Sequence, residues 1–399
     1  MEMYNIEIVV TLKEPAVFAS GHEAGNLIRT QDYIPGNVIL GAFARRFLHE
    51  LKSRKSASDL EFKQFFLSDA VRFENLYPAG GKPESLIATT TIPFSTLTCK
   101  DYPRPCSEKE EKFMKDKHPY TDFLLGKMVH ECDKCDAPLK NREGFYYTVG
   151  KRNKYDFRVQ PEKVVRMHNV IEDRLQRPTE EVGGVFSFEA LEEEQSFRGF
   201  IGFYDETVRD DFKNTLVGSE EKIDIVLGRA RSRGYGEAEL RMLDPGTYDI
   251  PGSLLKDEFD SRWEDFQAKM KNHFSITLHS DAIVTDKFLC YHTTLTKSIM
   301  AAELGINADT LKLKNAFSRF ITLDGFSGVH GLPLESEIAI EKGSAFLFEI
   351  VGIEEIDEIK ESLQRVEEGG IGFRRNEGFG RLIVCDGYHL RKREGGSDG

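Results

Sequence analysis

Cysteine and tryptophan are scarce, with six and one respectively in 399 residues. Six thiols in a chain of this length do not make the dense disulfide framework of small secreted domains. No apolar run reaches the roughly 18 residues that would span a membrane. The opening MEMYNIEIVV lacks the basic-then-apolar pattern of a secretory signal. The expectation from these absences is a cytoplasmic protein with no membrane partner. Positive charge is also in deficit: 54 Lys plus Arg against 67 Asp plus Glu leave a net charge of −13. That balance argues against a free-standing nucleic-acid binder, whose electrostatic footprint is basic.

Local basic stretches survive within the acidic whole. Residues 140–177 carry Lys140, Arg142, Lys151, Arg152, Lys154, Arg158, Lys163, Arg166, Arg174 and Arg177, while the acids gather in EALEEEQ and IEEIDEIKESLQRVEE. Such a distribution suits an assembly subunit that grips RNA on one face.

The length favours two or more domains, and the chain reads as two matched halves. YNIEIVVTL alternates, placing Tyr4, Ile6, Ile8, Val10 and Leu12 on one strand face, and IPGNVILGAFARRFLHEL follows with Ile39, Phe43, Phe47 and Leu51 at helical spacing. The second half opens on HFSITLHS, with Phe274, Ile276 and Leu278 alternating, and later gives the apolar strand AFLFEIV. Its helix IEEIDEIKESLQRVEE puts Ile353, Ile356, Ile359, Leu363 and Val366 on one face and stops at Gly369–Gly370, a common C-terminal signal.

Each half closes on a glycine–arginine loop. One is GRARSRGYG, with Arg229, Arg231 and Arg233 among glycines and Tyr235 between the last two; the other is GIGFRRNEGFG, with Arg374, Arg375 and Phe379. An internal duplication of two α+β domains, each a ferredoxin-like sheet with helices on one face, is the simplest account. Their expected limits are 1–250, with an insertion at about 94–145, and 270–390. Neither loop contains the G-K-[ST] of a nucleotide P-loop or the strand–GxGxxG–helix of a dinucleotide site. Backbone amides exposed by glycine, arginine forks and a flanking aromatic suit single-stranded RNA.

The insertion holds a C-x-x-C knuckle, Cys132 and Cys135, with Cys99 and Cys106 upstream and His118 between the pairs. Four soft donors in a weakly periodic segment suit a structural zinc ion. Spacing alone favours Cys106 as the fourth ligand. Cys290 and Cys385 sit in apolar stretches and read as packed thiols.

The order of these motifs resembles the RAMP superfamily of CRISPR-associated proteins. YIPGNVILGAFA is similar to that family's P-G-S-x-h-x-G start, and RMHNVIEDRLQRPTEEVGGVFSFEALEEEQSFRGFIG to its long central segment. GLP at 331–333 and KGSAFLF at 342–348 match its second unit. The likeness covers most of the chain and points to the large type III-D effector subunit of the group that holds the guide's 5′ end. One departure is LEEEQSF, which has acids where the family often has glycine.

The resemblance implies two RRM-like RAMP domains in a non-catalytic subunit. That subunit would grip the 5′ repeat-derived end of a CRISPR RNA and cap the effector in antiviral defence, with other type III effector subunits as partners. By motif position Arg229, Arg231, Arg233, Arg374 and Arg375 would touch the RNA backbone. Arg166, His168, Arg174 and Arg177 would lie on a hairpin along the guide, and His118 would be the fourth zinc ligand. Two alternatives stay open: an RNA-cutting enzyme of the same fold with His22 as general base, and a zinc-stabilised subunit that touches only proteins.

Overall fold

The computed structural model describes residues 3–19, 26–50, 56–82, 85–101, 118, 120–149, 155–170, 184–243, 259–327, 332–351 and 356–390. It is a mixed α+β structure organised by two antiparallel sheets. Elements of the first are β1 (Tyr4–Leu12), α1 (Gly36–Arg45), β2 (Val71–Phe73), a hairpin of β3 (Lys163–Val170) and β4 (Gly184–Leu191), then β5 (Ser196–Phe203), α2 (Glu206–Leu216), β6 (Lys222–Val226) and β7 (Glu237–Leu243). The sheet runs β6-β7-β1-β5-β2, and the β3–β4 hairpin stands outside it.

The second half supplies β8 (His273–Leu278), α3 (Lys297–Leu304), β9 (Leu311–Phe317), β10 (Ala345–Ile350), α4 (Ile356–Gly369) and β11 (Leu382–Val384), with strand order β9-β10-β8-β11. In both sheets the opening strand lies between the strand that precedes the second helix and the strand that ends the unit.

The apolar periodicities set these elements. Ile6, Ile8, Val10 and Leu12 pack into one core with Ile39, Phe43 and Phe47. Phe47 stays on that face through a π-helical turn, Arg46–Glu50, that continues α1; Leu51 lies outside the described residues. In α4, Ile359, Leu363 and Val366 are buried and Ile356 packs at the edge of a second core, while Asp357 and Glu358 complement the helix dipole at its first turn. Ile353 lies outside the described residues.

β8 departs from the alternating pattern read in its sequence, because both of its faces are covered. Ser275 and Thr277 are as buried as Phe274 and Ile276. The second face meets the chain end and the insertion: the Thr277 hydroxyl pairs with His389 Nε2 at 2.8 Å, and His389 Nδ1 lies 2.6 Å from Asp122.

The insertion enters between β2 and β3. Thr96–Cys99 pairs with Leu139–Asn141 and with Thr121–Asp122 in a small sheet. Leu124 enters the second core, the Phe94 N–H donates to the Gly343 carbonyl at 2.7 Å, and Asn315 Nδ2 donates to the Leu124 carbonyl at 2.7 Å. The segment therefore straps the first half of the chain to the second.

Candidate nucleic-acid interface and metal centre

The two glycine–arginine loops fold alike, each immediately before the last strand of its sheet. The first places Ala230 and Gly234 in the left-handed region on either side of a 3-10 turn, Arg231–Arg233; the second does the same with Arg374 and Gly378 around Arg375–Glu377. Their backbone bonds correspond one to one. Leu227 N–H donates to the Gly236 carbonyl at 2.8 Å and Ile371 N–H to the Gly380 carbonyl at 2.9 Å. Arg229 N–H donates to Val17 and Phe373 N–H to Ile283, both just beyond the opening strand.

This pairing explains the closing glycines. A Cβ on Gly236 would overlap the Leu227 carbonyl oxygen, and one on Gly380 the Ile371 carbonyl oxygen. The glycines let the chain approach its own backbone. That is a different use from the exposure of backbone amides to RNA expected from the sequence.

Both loops line one cleft of about 400 Å³, together with the start of α1. Their arginines are placed very differently. Arg374 is ion-paired to Glu337 and, at 2.6 Å, to Glu377, and its guanidinium lies 4.9 Å over the Phe379 ring. Those hydrogen bonds and charges hold its pKa above the ordinary arginine value, against the opposing effect of burial, which is the largest single influence. Arg375 donates to the Gly369 carbonyl at 3.2 Å, closing the C-terminal end of α4. A phosphate arriving here would have to displace carboxylates.

The first loop is open. Arg229, Arg231 and Arg233 are exposed, and among the described residues none of them forms an ion pair. Arg231 Nε donates to the Gly228 carbonyl at 2.9 Å, and the Arg233 guanidinium lies 5.3 Å over the Phe186 ring. The β3–β4 hairpin brings a fourth cation, Arg166, 5.9 Å over the Tyr235 ring.

His168 and Tyr235 hold this patch together. His168 Nε2 lies 2.8 Å from the Tyr235 hydroxyl, and its ring stacks on Phe186 at 5.4 Å. Tyr235 is 1% exposed and packs with Val17, Phe188 and Ala190, so its ring faces are covered and cannot take a base. Phe186, half-exposed beneath Arg233, is an aromatic that the sequence reading passed over. The alternation in GVFSFEAL, which puts Phe186 and Phe188 on one face, was the signal for it. Arg174, Arg177 and His22 lie outside the described residues.

In the insertion, Cys99, His118, Cys132 and Cys135 bring their donor atoms within 4.8 Å of one another. The Cys99 and Cys135 sulfurs are 3.6 Å apart, and His118 Nδ1 lies 3.2 Å from Cys132 Sγ and 3.3 Å from Cys135 Sγ. Metal–sulfur bonds of about 2.3 Å at tetrahedral angles put two ligand sulfurs roughly 3.8 Å apart, so the spacing fits one four-coordinate soft cation. In the metal-free chain the Cys135 thiol is pushed up to about 11: the Ala137 N–H lowers it, but burial and the Cys99 and Cys132 thiols together outweigh that bond.

His118 joins this group, and Cys106 lies outside the described residues. Cys385 is buried as expected, whereas Cys290 is exposed, between Leu289 (71% exposed) and Tyr291. Asp286 accepts from the Phe288 and Cys290 N–H groups and turns this apolar stretch outward.

No protein-family model matches the chain, and no curated protein matches it. Among solved structures, a cryo-EM structure of the type III-B Cmr-beta bound to cognate target RNA is similar over 94% of this chain and 96% of that one, at 12% identity and a TM-score of 0.40. A CRISPR associated protein Cas6 is similar over 96% and 99%, at 8% identity and 0.30. Scores and identities this low fix neither family nor activity.

Proposed function

We propose that the chain is an RNA-gripping, non-catalytic subunit of a CRISPR effector complex, with its phosphate contacts on the first glycine–arginine loop. The observation that carries this is the patch of Arg166, Arg229, Arg231 and Arg233, exposed, unpaired among the described residues and set beside the half-exposed Phe186. Arginine forks bind phosphodiester oxygens, and an aromatic beside them offers a base a stacking face. The motif order resembling RAMP proteins, and the repeated strand order, support two ferredoxin-like RAMP domains. By the same resemblance the RNA is the 5′ repeat-derived end of a CRISPR RNA in a type III-D assembly, which this subunit caps. Zinc is the cation that three thiolates and one imidazole suit best.

The test compares Arg229→Gln/Arg231→Gln/Arg233→Gln with Arg374→Gln, using an end-labelled guide precursor across a salt series. Loss of three phosphate contacts should weaken binding about 10²-fold or more near physiological salt and flatten the salt slope by about 2 to 3. Arg374→Gln should bind RNA like the parent, because its charge is already held by Glu337 and Glu377. Equal losses for both variants would overturn the assignment to the first loop. The same gel reads the enzymatic alternative: site-specific cleavage that disappears in His22→Ala would replace this reading with an endoribonuclease.

A further inference from the structure

A second cavity, of about 330 Å³, lies at the seam between the two sheets and shares no lining residue with the cleft between the loops. Three arginines line it: Arg72, Arg262 and Arg381. Two are neutralised. Arg262 is ion-paired to Glu367, and Arg72 to Glu74 at 3.0 Å. Arg381, the residue after Gly380, is not: its guanidinium carbon lies 4.3 Å from the centroid of the Phe200 ring, and among the described residues its side chain forms no hydrogen bond or ion pair. With no described partner, the N–H donors of this fork can serve a ligand.

The pair beside it is half-satisfied. Arg72 and Glu74 are each 2% exposed, and Arg72 Nε and Glu74 Oε2 are buried without a partner. An unmade bond at a buried charged group is costly, so this pair is incompletely satisfied by the protein alone. One further carboxylate lines the space, Glu368, which accepts from Gln364 at 3.3 Å.

We infer that this seam cavity binds a phosphate group, free or esterified to a small molecule, on the Arg381 fork. Planar guanidinium forks match the oxygens of phosphate. The volume lies at the lower end of small-ligand sites, which begin near ~300 Å³, so it exceeds a bare ion and accommodates a mononucleotide. Burial lowers the Arg381 pKa, with Glu74 opposing, as expected for a charge with no direct partner. Because the cavity joins β2 and β5 of the first sheet to α4 and β11 of the second, a ligand here would tie the two halves together.

The experiment uses the full chain, with thermal melts and calorimetric titration of inorganic phosphate, AMP and adenosine at ionic strength matched with chloride. Phosphate and AMP should raise the melting temperature and adenosine should not. AMP acting at lower concentration than phosphate would identify the ligand as a phosphate monoester, and equal potency a free phosphate. Arg381→Met keeps the stacked volume and should raise the half-saturating concentration at least tenfold, while melting no lower than the parent without ligand. Should that variant fail to fold, Arg381→Lys, which keeps the charge and loses the fork, should still raise it several-fold.

The Arg229/Arg231/Arg233 variant should respond to phosphate like the parent. A shift abolished there would place the anion on the first loop and overturn the inference. So would a parent that melts identically in phosphate and chloride, or an Arg381→Met variant that responds as the parent does. Failure of the RNA-binding reading leaves this prediction standing, since no residue is common to the two sites.

Discussion

Cys132→Ser will destabilise the protein far more than Cys385→Ser, although both thiols are buried. Cys385 packs among apolar neighbours of the second core, and serine there costs little volume. Cys132 stands in a four-donor cluster, where removing one donor would break the coordination of a cation held by all four. Structural zinc supplies about 10–16 kcal/mol in peptides that have no other core. Here the small sheet is also held by strand pairing and by Leu124, so part of the structure should persist without metal. A loss of about 4 kcal/mol or more is still expected, in the range reserved for a lost metal or a buried charge.

The effect should spread beyond the knuckle, because Asp122 and Leu124 of the same segment contact His389 and the second core. The measurement is metal content by elemental analysis, with melting before and after a strong chelator. One equivalent of zinc, lost together with a large fall in melting temperature, is the expected result. A metal-free preparation that melts as high as a zinc-loaded one would reduce the cluster to packed thiols. Competition between protons and metal gives the sign of the pH effect: with Cys135 near 11 in the metal-free chain, binding releases protons, so affinity falls as pH falls.

Much of this architecture was legible because it is local. The alternation in β1, the helical stripe of α4, the repeated glycine–aromatic–glycine ending and the C-x-x-C all lie within short windows. What escaped depends on residues far away in the chain. The loops share one glycine frame and one backbone fold, yet Glu337, 37 residues from Arg374, helps neutralise the second while nothing described pairs with the first. Tyr235 and Phe379 occupy matching positions, but only Tyr235 is covered, by a hairpin whose first strand begins 72 residues upstream. Cys290 misled for a related reason. Apolar neighbours usually mean burial, but Asp286 turns this segment outward, which apolarity alone does not reveal.

Gly380→Ala and Gly236→Ala will each cost about 3 kcal/mol or more, while Gly234→Ala will cost about 1 kcal/mol. All three glycines sit at positive φ, at +76°, +88° and +76° respectively, so each substitution carries the strain of the left-handed region. Only the first two add a collision with backbone, since a Cβ on Gly234 meets nothing within 4 Å. The carbonyls they would strike belong to Ile371 and Leu227, whose N–H groups bond back to those same glycines. Neither side can yield without opening the loop.

Denaturant melts of the three variants separate strain from collision. If Gly380→Ala cost no more than Gly234→Ala, the close-approach argument would fail. RNA binding at a temperature where all variants remain folded then divides the two loops by function. Gly236→Ala displaces the anchor of Arg229, Arg231 and Arg233 and should weaken binding. Gly380→Ala, equally unstable, disturbs arginines already committed to Glu337, Glu377 and the end of α4, and should bind RNA like the parent. Equal stability losses with unequal RNA losses would mean that the duplicated loop is needed twice for the fold and once for the ligand.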